Sequence, residues 1–152
     1  MTYRAGLLLC TVAVVACGEP AWDGRYEGEF EGTYQATRAA ADGRAALVRH
    51  TFAGTAWVEV QAEGDELVVH ATDCDMRWRA EGAEAVPLGD HAGAACRLDV
   101  GGPVGVVHVR PTSGRAHLDA DRLSLEYSAT GPSPGSAQVA TLGFQFDGKR
   151  AR

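Results

Sequence analysis

The sequence predicts an all-β protein, an antiparallel meander of about 8–10 strands that closes, or nearly closes, into a barrel. Three observations lead to this prediction. Apolar and polar residues alternate with a period of two along most segments, as they do in strands with one buried face. Turn signals rich in Gly, Pro and Asp recur at intervals of roughly ten residues, and no stretch shows sustained helical spacing. A β-sandwich has the same strand rhythm and is the alternative.

The first predicted strand, residues 25–35, has the clearest alternation. Its apolar face consists of Tyr26, Gly28, Phe30, Gly32 and Tyr34. The opposite face carries glutamates, which repel one another and therefore need water or cations beside them. Lys149 near the end of the chain offers such a charge. Pairing of the first strand with the last would place Glu27 and Glu29 near Lys149 and would remove both edges of the sheet.

The other strands follow in order, each bounded by turn residues. They are predicted at 46–52, 55–61, 66–72, 73–79, 96–100, 104–110, 115–118, 123–130 and 137–148. Hairpin turns are predicted at 62–65 and 119–121, and such tight consecutive turns favour an up-and-down meander. The turn-rich segment 81–93 has the weakest pattern and is the best candidate for a loop that carries a site.

The first sixteen residues differ from the rest of the chain. Arg4 is their only charged residue, and residues 5–16 form an almost unbroken apolar run. A basic start followed by such a run is typical of an export signal, and the run is shorter than the about 20 residues that span a bilayer.

This segment ends in Val14-Val15-Ala16-Cys17, which resembles the lipobox of bacterial lipoproteins. The resemblance implies cleavage after Ala16 and acylation of Cys17, which becomes the first residue. Two or more acyl chains anchor a protein stably, each buried CH₂ contributing about 0.8 kcal/mol. The second residue of the mature chain is Gly18. In this family the absence of Asp at that position implies the outer membrane of a Gram-negative bacterium. The alternative is an ordinary secretory signal in which Cys17 is incidental.

The chain therefore divides into a signal peptide (1–16), a lipidated cysteine with a short tether (17–23) and one β domain (24–152). The formal charge of the whole chain is −6 at pH 7, and removal of Arg4 makes it one unit more negative. This acidic balance argues against binding to nucleic acid, which needs a basic footprint.

Two cysteines remain when Cys10 leaves with the signal and Cys17 takes the lipid. Cys74 and Cys96 lie 22 residues apart, and two cysteines in an exported domain most often form a disulfide. The chain-entropy model gives such a bond about 3 kcal/mol of stabilisation. A metal pair and a reactive thiol are the alternatives, but no CxxC or His-spaced partner stands nearby to favour metal.

Residues suited to catalysis or metal binding are scattered. The sequence has no G-x-S-x-G motif, and its five histidines lie in separate segments. One cluster is conceivable, with His91 and Asp90 in the 81–93 loop and Asp73 and Asp75 near the cysteines. We interpret it as a solvated loop, and we predict no catalytic residue, no metal and no cofactor.

Aromatic residues on the strands form the other candidate site. If they line a cavity they bind a small apolar ligand or a sugar at the barrel mouth, whereas if they pack together they are simply core. These residues are Tyr26, Phe30, Tyr34, Trp57, Trp78, Tyr127, Phe144 and Phe146.

The size and strand rhythm of the domain are similar to those of calycin barrels, the lipocalins and their relatives. Those proteins carry Gly-x-Trp at the first strand, where this chain has Trp22-Asp23-Gly24. The resemblance implies that a late arginine, Arg150, packs over Trp22 and that a ligand occupies the barrel.

These observations lead to three functional hypotheses. The first is a lipid-anchored envelope protein whose β domain is a non-catalytic structural or interaction module, with an envelope protein as its partner. The second is a calycin-like carrier that binds a small apolar ligand inside the barrel. The third, an envelope hydrolase, has the least support in the sequence.

Overall fold

The computed structural model describes residues 20–39, 42–71, 74–88, 96–102, 104–133 and 139–152. These residues form an all-β fold, as predicted. The nine strands are Gly24–Ala39 (β1), Ala45–Glu63 (β2), Glu66–Ala71 (β3), Cys74–Glu81 (β4), Glu84–Pro87 (β5), Cys96–Asp99 (β6), Val106–Asp119 (β7), Arg122–Pro132 (β8) and Val139–Arg150 (β9).

The strands form one antiparallel sheet whose hydrogen bonds close into a ring. The order is β5-β4-β3-β2-β1-β9-β8-β7-β6, and β5 also pairs with β7. Neighbours in the sheet are therefore neighbours in the chain, apart from the two closures, which confirms the predicted meander. The ring is uneven, and both predicted forms, a barrel and a sandwich, are consistent with it.

Pairing of the first and last strands is confirmed. Residues 26–35 of β1 pair with residues 141–150 of β9, and Glu27 stands opposite Lys149. Glu29 lies two residues further along β1 than Glu27. It therefore stands opposite Asp147, which lies two residues before Lys149 on the antiparallel β9. Asp147 accepts a hydrogen bond from Arg122 Nε at 2.6 Å, so this arginine of β8 brings positive charge to the pair.

Two predicted strand pairs are wrong because each is one long strand. The predicted break at Gly54 lies within β2, which pairs with β1 from Ala45 to Val60. Gly54 lies against the ring of Phe30, and a Cβ atom there would stand 3.1 Å from it, so the glycine gives room to a side chain. The predicted break near Pro111 lies within β7. Its register shifts between Pro111 and Ser113, an irregularity that accommodates a residue without an N–H group.

The 81–93 segment, predicted as a loop, contains strand β5. Glu84 and Ala85 pair with His117 and Ala116 of β7 and close the ring there. A strand this short has too few residues to show alternation, so its sequence resembles a loop.

Trp22 seals one end of the ring, which we call the Trp22 end. The Trp22 side chain is 4% exposed, and its Nε1 donates to the Gly82 carbonyl at 3.0 Å. The Tyr26 hydroxyl donates to the Trp22 carbonyl at 2.9 Å, and Arg150 donates to the Tyr26 hydroxyl at 2.7 Å. The start and finish of the domain are thus tied together beneath one buried indole.

Arg150 completes this seal. Its guanidinium lies 5.1 Å from the centre of the Tyr26 ring and donates to the carbonyls of Ala21 and Asp23, on either side of Trp22. The described contacts of the late arginine are therefore with the Tyr26 ring and with the backbone around Trp22.

Candidate functional site

The predicted disulfide is confirmed and lies beside the part of the ring that is open. It joins Cys74 at the start of β4 to Cys96 at the start of β6, with the two Cα atoms 4.4 Å apart. Both cysteines are at most 1% exposed. No strand ladder joins the described residues of β4 and β6, so at this level the disulfide takes the place of backbone hydrogen bonds.

The opening results from the shortness of β3. This strand pairs with residues 58–63 of β2 and ends at Ala71, opposite Val58. Among the described residues, positions 45–57 of β2 pair with β1 alone. The far half of β2, toward the β1–β2 connection, therefore presents one unpaired edge. We call the half of the ring that contains residues 45–57 of β2 the hairpin half.

Strand β6 faces this edge across a pocket of about 270 Å³. We call this pocket the aromatic window. Its lining residues are Phe30, Thr55, Ala56, Trp57, Arg97, Leu98, Asp99 and Phe144. Further from the Trp22 end, the His50 ring lies against Gly102 of the β6–β7 connection, so the two sides meet beyond the pocket.

A cluster of aromatic rings forms the floor of the aromatic window. Phe30 and Phe144 stack with their centroids 5.5 Å apart and an interplanar angle of 16°. Phe144 stacks in turn on the buried Tyr127 at 4.9 Å, and Phe52 tilts against Phe30 at 6.1 Å. Both Phe30 and Phe52 point inward yet remain partly exposed, whereas the aromatic residues toward the Trp22 end are buried.

The rim of the aromatic window is polar. Trp57 is 37% exposed, and the Arg25 guanidinium lies 4.9 Å from the centre of its ring. Arg25 also forms an ion pair with Glu27 at 3.2 Å. Across the pocket, Asp99 accepts a hydrogen bond from the Gly101 N–H at 2.9 Å. The rim charges of Arg25 and Asp99 thus already have partners in the protein.

The structure divides the predicted cavity residues between two places. Phe30, Trp57 and Phe144 line the aromatic window. The other five lie in the core and are at most 3% exposed: Tyr26, Tyr34, Trp78, Tyr127 and Phe146.

Burial perturbs the tyrosines among these core residues. It raises the pKa of Tyr127 and of Tyr26, the latter opposed by the positive charge of Arg150. It also raises the pKa of Tyr34, with the Ser133 hydroxyl acting in the opposite direction. In all three residues burial favours the neutral phenol over the charged phenolate.

The outer face of the β1-β9-β8-β7 sheet carries a second groove of about 410 Å³, lined by polar and charged side chains together with Phe30, Leu125 and Phe146. Its side chains belong to cross-strand rows, such as Glu31, Gln145, Glu126 and Arg115. His117 in this groove pairs with Glu84 of β5, Nδ1 to Oε1 at 2.6 Å. This pair lies on the short β5–β7 closure, so it also has a structural role.

Several predicted residues lie outside the described ranges, namely Cys17, Asp73, Asp90 and His91. Asp75 is described, and its carboxylate lies 2.7 Å from Nδ1 of His70 on the neighbouring strand. Within the described ranges, no group of three or more His, Cys, Asp or Glu side chains is placed to hold a metal ion. The same residues include no helix of the length and apolarity needed to cross a bilayer.

Sequence reasoning missed five residues of the aromatic window: Thr55, Ala56, Arg97, Leu98 and Asp99. The alternation of β6 did place Leu98 inward and Arg97 and Asp99 outward, as observed. The missing information was that β6 stands across from β2. The confirmed disulfide is the one sequence signal that brings β6 toward this side of the ring.

Comparisons of this chain with protein-family models, with curated proteins and with solved structures found no match.

Proposed function

We propose that this protein is a lipid-anchored module of the cell envelope whose β domain binds without catalysing a reaction. The anchor rests on the lipobox-like Val14-Val15-Ala16-Cys17 and the apolar run before it. Because few residues separate Cys17 from Trp22, which is fastened into the ring, the domain sits close to the bilayer. Gly18 after the cysteine supports the outer membrane of a Gram-negative bacterium.

A non-catalytic role is supported above all by one observation, that several inward and outward side chains are already engaged in contacts within the protein. Three inward residues, Tyr26, Leu67 and Trp78, are at most 1% exposed and are committed to packing. Several outward charged groups are committed to cross-strand pairs, such as Arg122 with Asp147 and Arg77 with Glu66. A scaffold of this kind presents surfaces and pockets to an envelope protein or a ligand.

Substitution of Cys17 tests the anchor. We expect Cys17→Ser to move the full chain from the membrane fraction to the soluble periplasmic fraction, because the acylated sulfur is lost. Cys10→Ser is the matched control and should leave fractionation unchanged, since Cys10 lies within the removed signal. If the Cys17→Ser chain stays with the membranes, the anchor proposal is wrong.

A second candidate, a carrier of a small apolar ligand, is favoured by the aromatic window. Its floor includes the partly exposed Phe30, and its volume of about 270 Å³ is just below the usual range of ligand pockets. The resemblance to calycin barrels points in the same direction. The ligand is then small and sits at the side of the ring.

Native mass spectrometry separates the two candidates. The full chain carrying Cys17→Ser, exported to the periplasm and purified without detergent, should show a stoichiometric added mass if the domain is a carrier. This mass should be released on unfolding. A protein mass without addition favours the interaction module and directs the search to envelope proteins.

A further inference from the structure

The aromatic cluster beneath the window is arranged as a stack that ends at the opening. The rings of Tyr127 and Phe144 lie 4.9 Å apart, and those of Phe144 and Phe30 lie 5.5 Å apart. Tyr127 and Phe144 are buried, while Phe30 is partly exposed. These separations are in the range of favourable offset-stacked aromatic pairs.

Leaving aromatic side chains at an opening has a free-energy cost that aromatic side chains buried elsewhere among the strands do not have. Each partly exposed aromatic side chain keeps apolar surface in contact with water, and covering that surface is favourable. Gly54 and Ala56, on the inward face of β2, are too small to cover Phe30. Larger residues at these positions would fill the pocket, so the choice of small residues maintains it.

The chemistry of the window determines what can fill it. The floor is aromatic, Leu98 adds an apolar wall, and Trp57 stands at the rim as a further ring. Because the charged residues Arg25, Arg97 and Asp99 already have interactions within the protein, the pocket does not depend on a charged ligand.

We infer that the aromatic window binds a small, uncharged ligand that carries an aromatic ring, packed against Phe30 and Phe144 and bordered by Trp57. This inference rests on the carrier candidate above and not on the lipid anchor. The ligand enters from the side of the ring, between the β2 edge and β6, while the Trp22 end stays sealed.

Fluorescence titration of the full chain carrying Cys17→Ser tests the inference. The probe is N-phenyl-1-naphthylamine, an uncharged aromatic dye whose emission rises in apolar surroundings. It is displaced either by 2-naphthol or by the saturated counterpart, decahydro-2-naphthol. We expect 2-naphthol to bind about 2- to 13-fold more tightly, which corresponds to the roughly 0.5–1.5 kcal/mol of an aromatic pair. Equal displacement by both alcohols would overturn the aromatic preference.

Two variants locate the bound dye. Ala56→Leu places a larger side chain inside the aromatic window and should lower dye affinity at least tenfold. Ala53→Leu makes the same change on the outward face of the same strand and should leave affinity unchanged. Equal dye affinity in the two variants would overturn the assignment to the window.

The fluorescence of Trp57 provides a second measurement, which does not depend on a variant that fills the pocket. Trp22 and Trp78 are buried at 4% and 0% exposure, so Trp57 is the exposed tryptophan of the three. Addition of 2-naphthol should change tryptophan emission in the Cys17→Ser chain, and the change should disappear when Trp57→Phe is added. A change that persists in the Trp57→Phe variant would place the ligand elsewhere and refute the proposal.

Failure of the anchor proposal can be told apart from failure of this inference. If Cys17→Ser does not release the chain from the membrane, only the anchor proposal is contradicted, because the same titration can be made on the chain extracted from membranes.

Discussion

The Trp22 end and the hairpin half of the ring are closed by different means. At the Trp22 end, β5 pairs with β7, and Trp22 and Arg150 tie the chain start to its finish. In the hairpin half, β3 has already ended, and a disulfide joins β4 to β6 where no described ladder does so. Backbone pairing brings neighbouring strands to about 5 Å and leaves no space between them. A covalent link at one point holds the strands together but leaves the aromatic window beside it.

This difference explains why aromatic residues of one sequence pattern have two fates. Trp78, toward the Trp22 end, is 0% exposed, and its strand is paired there on both edges, with Leu67 of β3 and with Pro87 of β5. Phe52 also points inward, but the strand edge beside it has no partner among the described residues. A residue's inward direction is thus set locally, whereas its burial depends on how far the neighbouring strand extends.

The largest expected effect contrasts these two residues. Trp78→Ala should lower the free energy of unfolding by about 3–5 kcal/mol, because it leaves a large cavity in a closed region. Phe52→Ala should cost about 1–3 kcal/mol, since part of this ring already contacts water. Urea denaturation of the two variants measures the difference. Equal losses would mean that the hairpin half is as tightly packed as the Trp22 end.

Removal of the disulfide should have the next largest effect. The double variant Cys74→Ala with Cys96→Ala should lose about 3 kcal/mol, because the unfolded chain regains the entropy of an open loop of 22 residues. Thermal melts with and without reductant measure this, and reductant should not affect the double variant. An unchanged melting temperature would show that β6 stays in place without the bond.

A smaller effect is expected at the β1–β9 seam, where two glycines differ in their surroundings. A Cβ atom on Gly28 would overlap the backbone of Asp147 and Gly148, whereas one on Gly143 would meet nothing within 4 Å. Gly28→Ala should therefore cost about 1–3 kcal/mol through overpacking. Gly143→Ala should stay within about 0.5 kcal/mol of the parent, as exposed substitutions do. Similar denaturation midpoints for both variants would contradict the close approach of β1 and β9.

The smallest effect concerns alkaline pH. Burial raises the pKa of Tyr127 above its ordinary value of 10.0, so the folded protein keeps a proton that the unfolded chain releases. Its contribution is fully present below pH 10 and is lost as the pH rises further, at no more than about 1.4 kcal/mol per pH unit. Tyr127→Phe should make stability less dependent on pH between 10 and 11. An unchanged dependence would assign the alkaline loss to Tyr26 and Tyr34, whose pKa values are also raised.

The sequence by itself determined the features that depend on local chemistry. Period-two alternation predicted the strands and their inward faces, as in β8, where Leu123, Leu125 and Tyr127 are all buried. Consecutive tight turns predicted the meander, and the presence of two cysteines in a domain expected to be exported predicted the disulfide. The closure of β1 on β9 followed from charge and from the need to cover two sheet edges.

Only the tertiary structure decided where the ring is open. The aromatic window joins Ala56 to Leu98, two residues far apart in sequence, and it exists because β3 ends at Ala71. Likewise, Gly54 is a residue type typical of turns but lies within a strand, because Phe30 of the neighbouring strand occupies the space that a larger side chain would need. Alternation and turn residues report on a segment's immediate neighbours, whereas strand length and the position of an unpaired edge are set by contacts between distant segments.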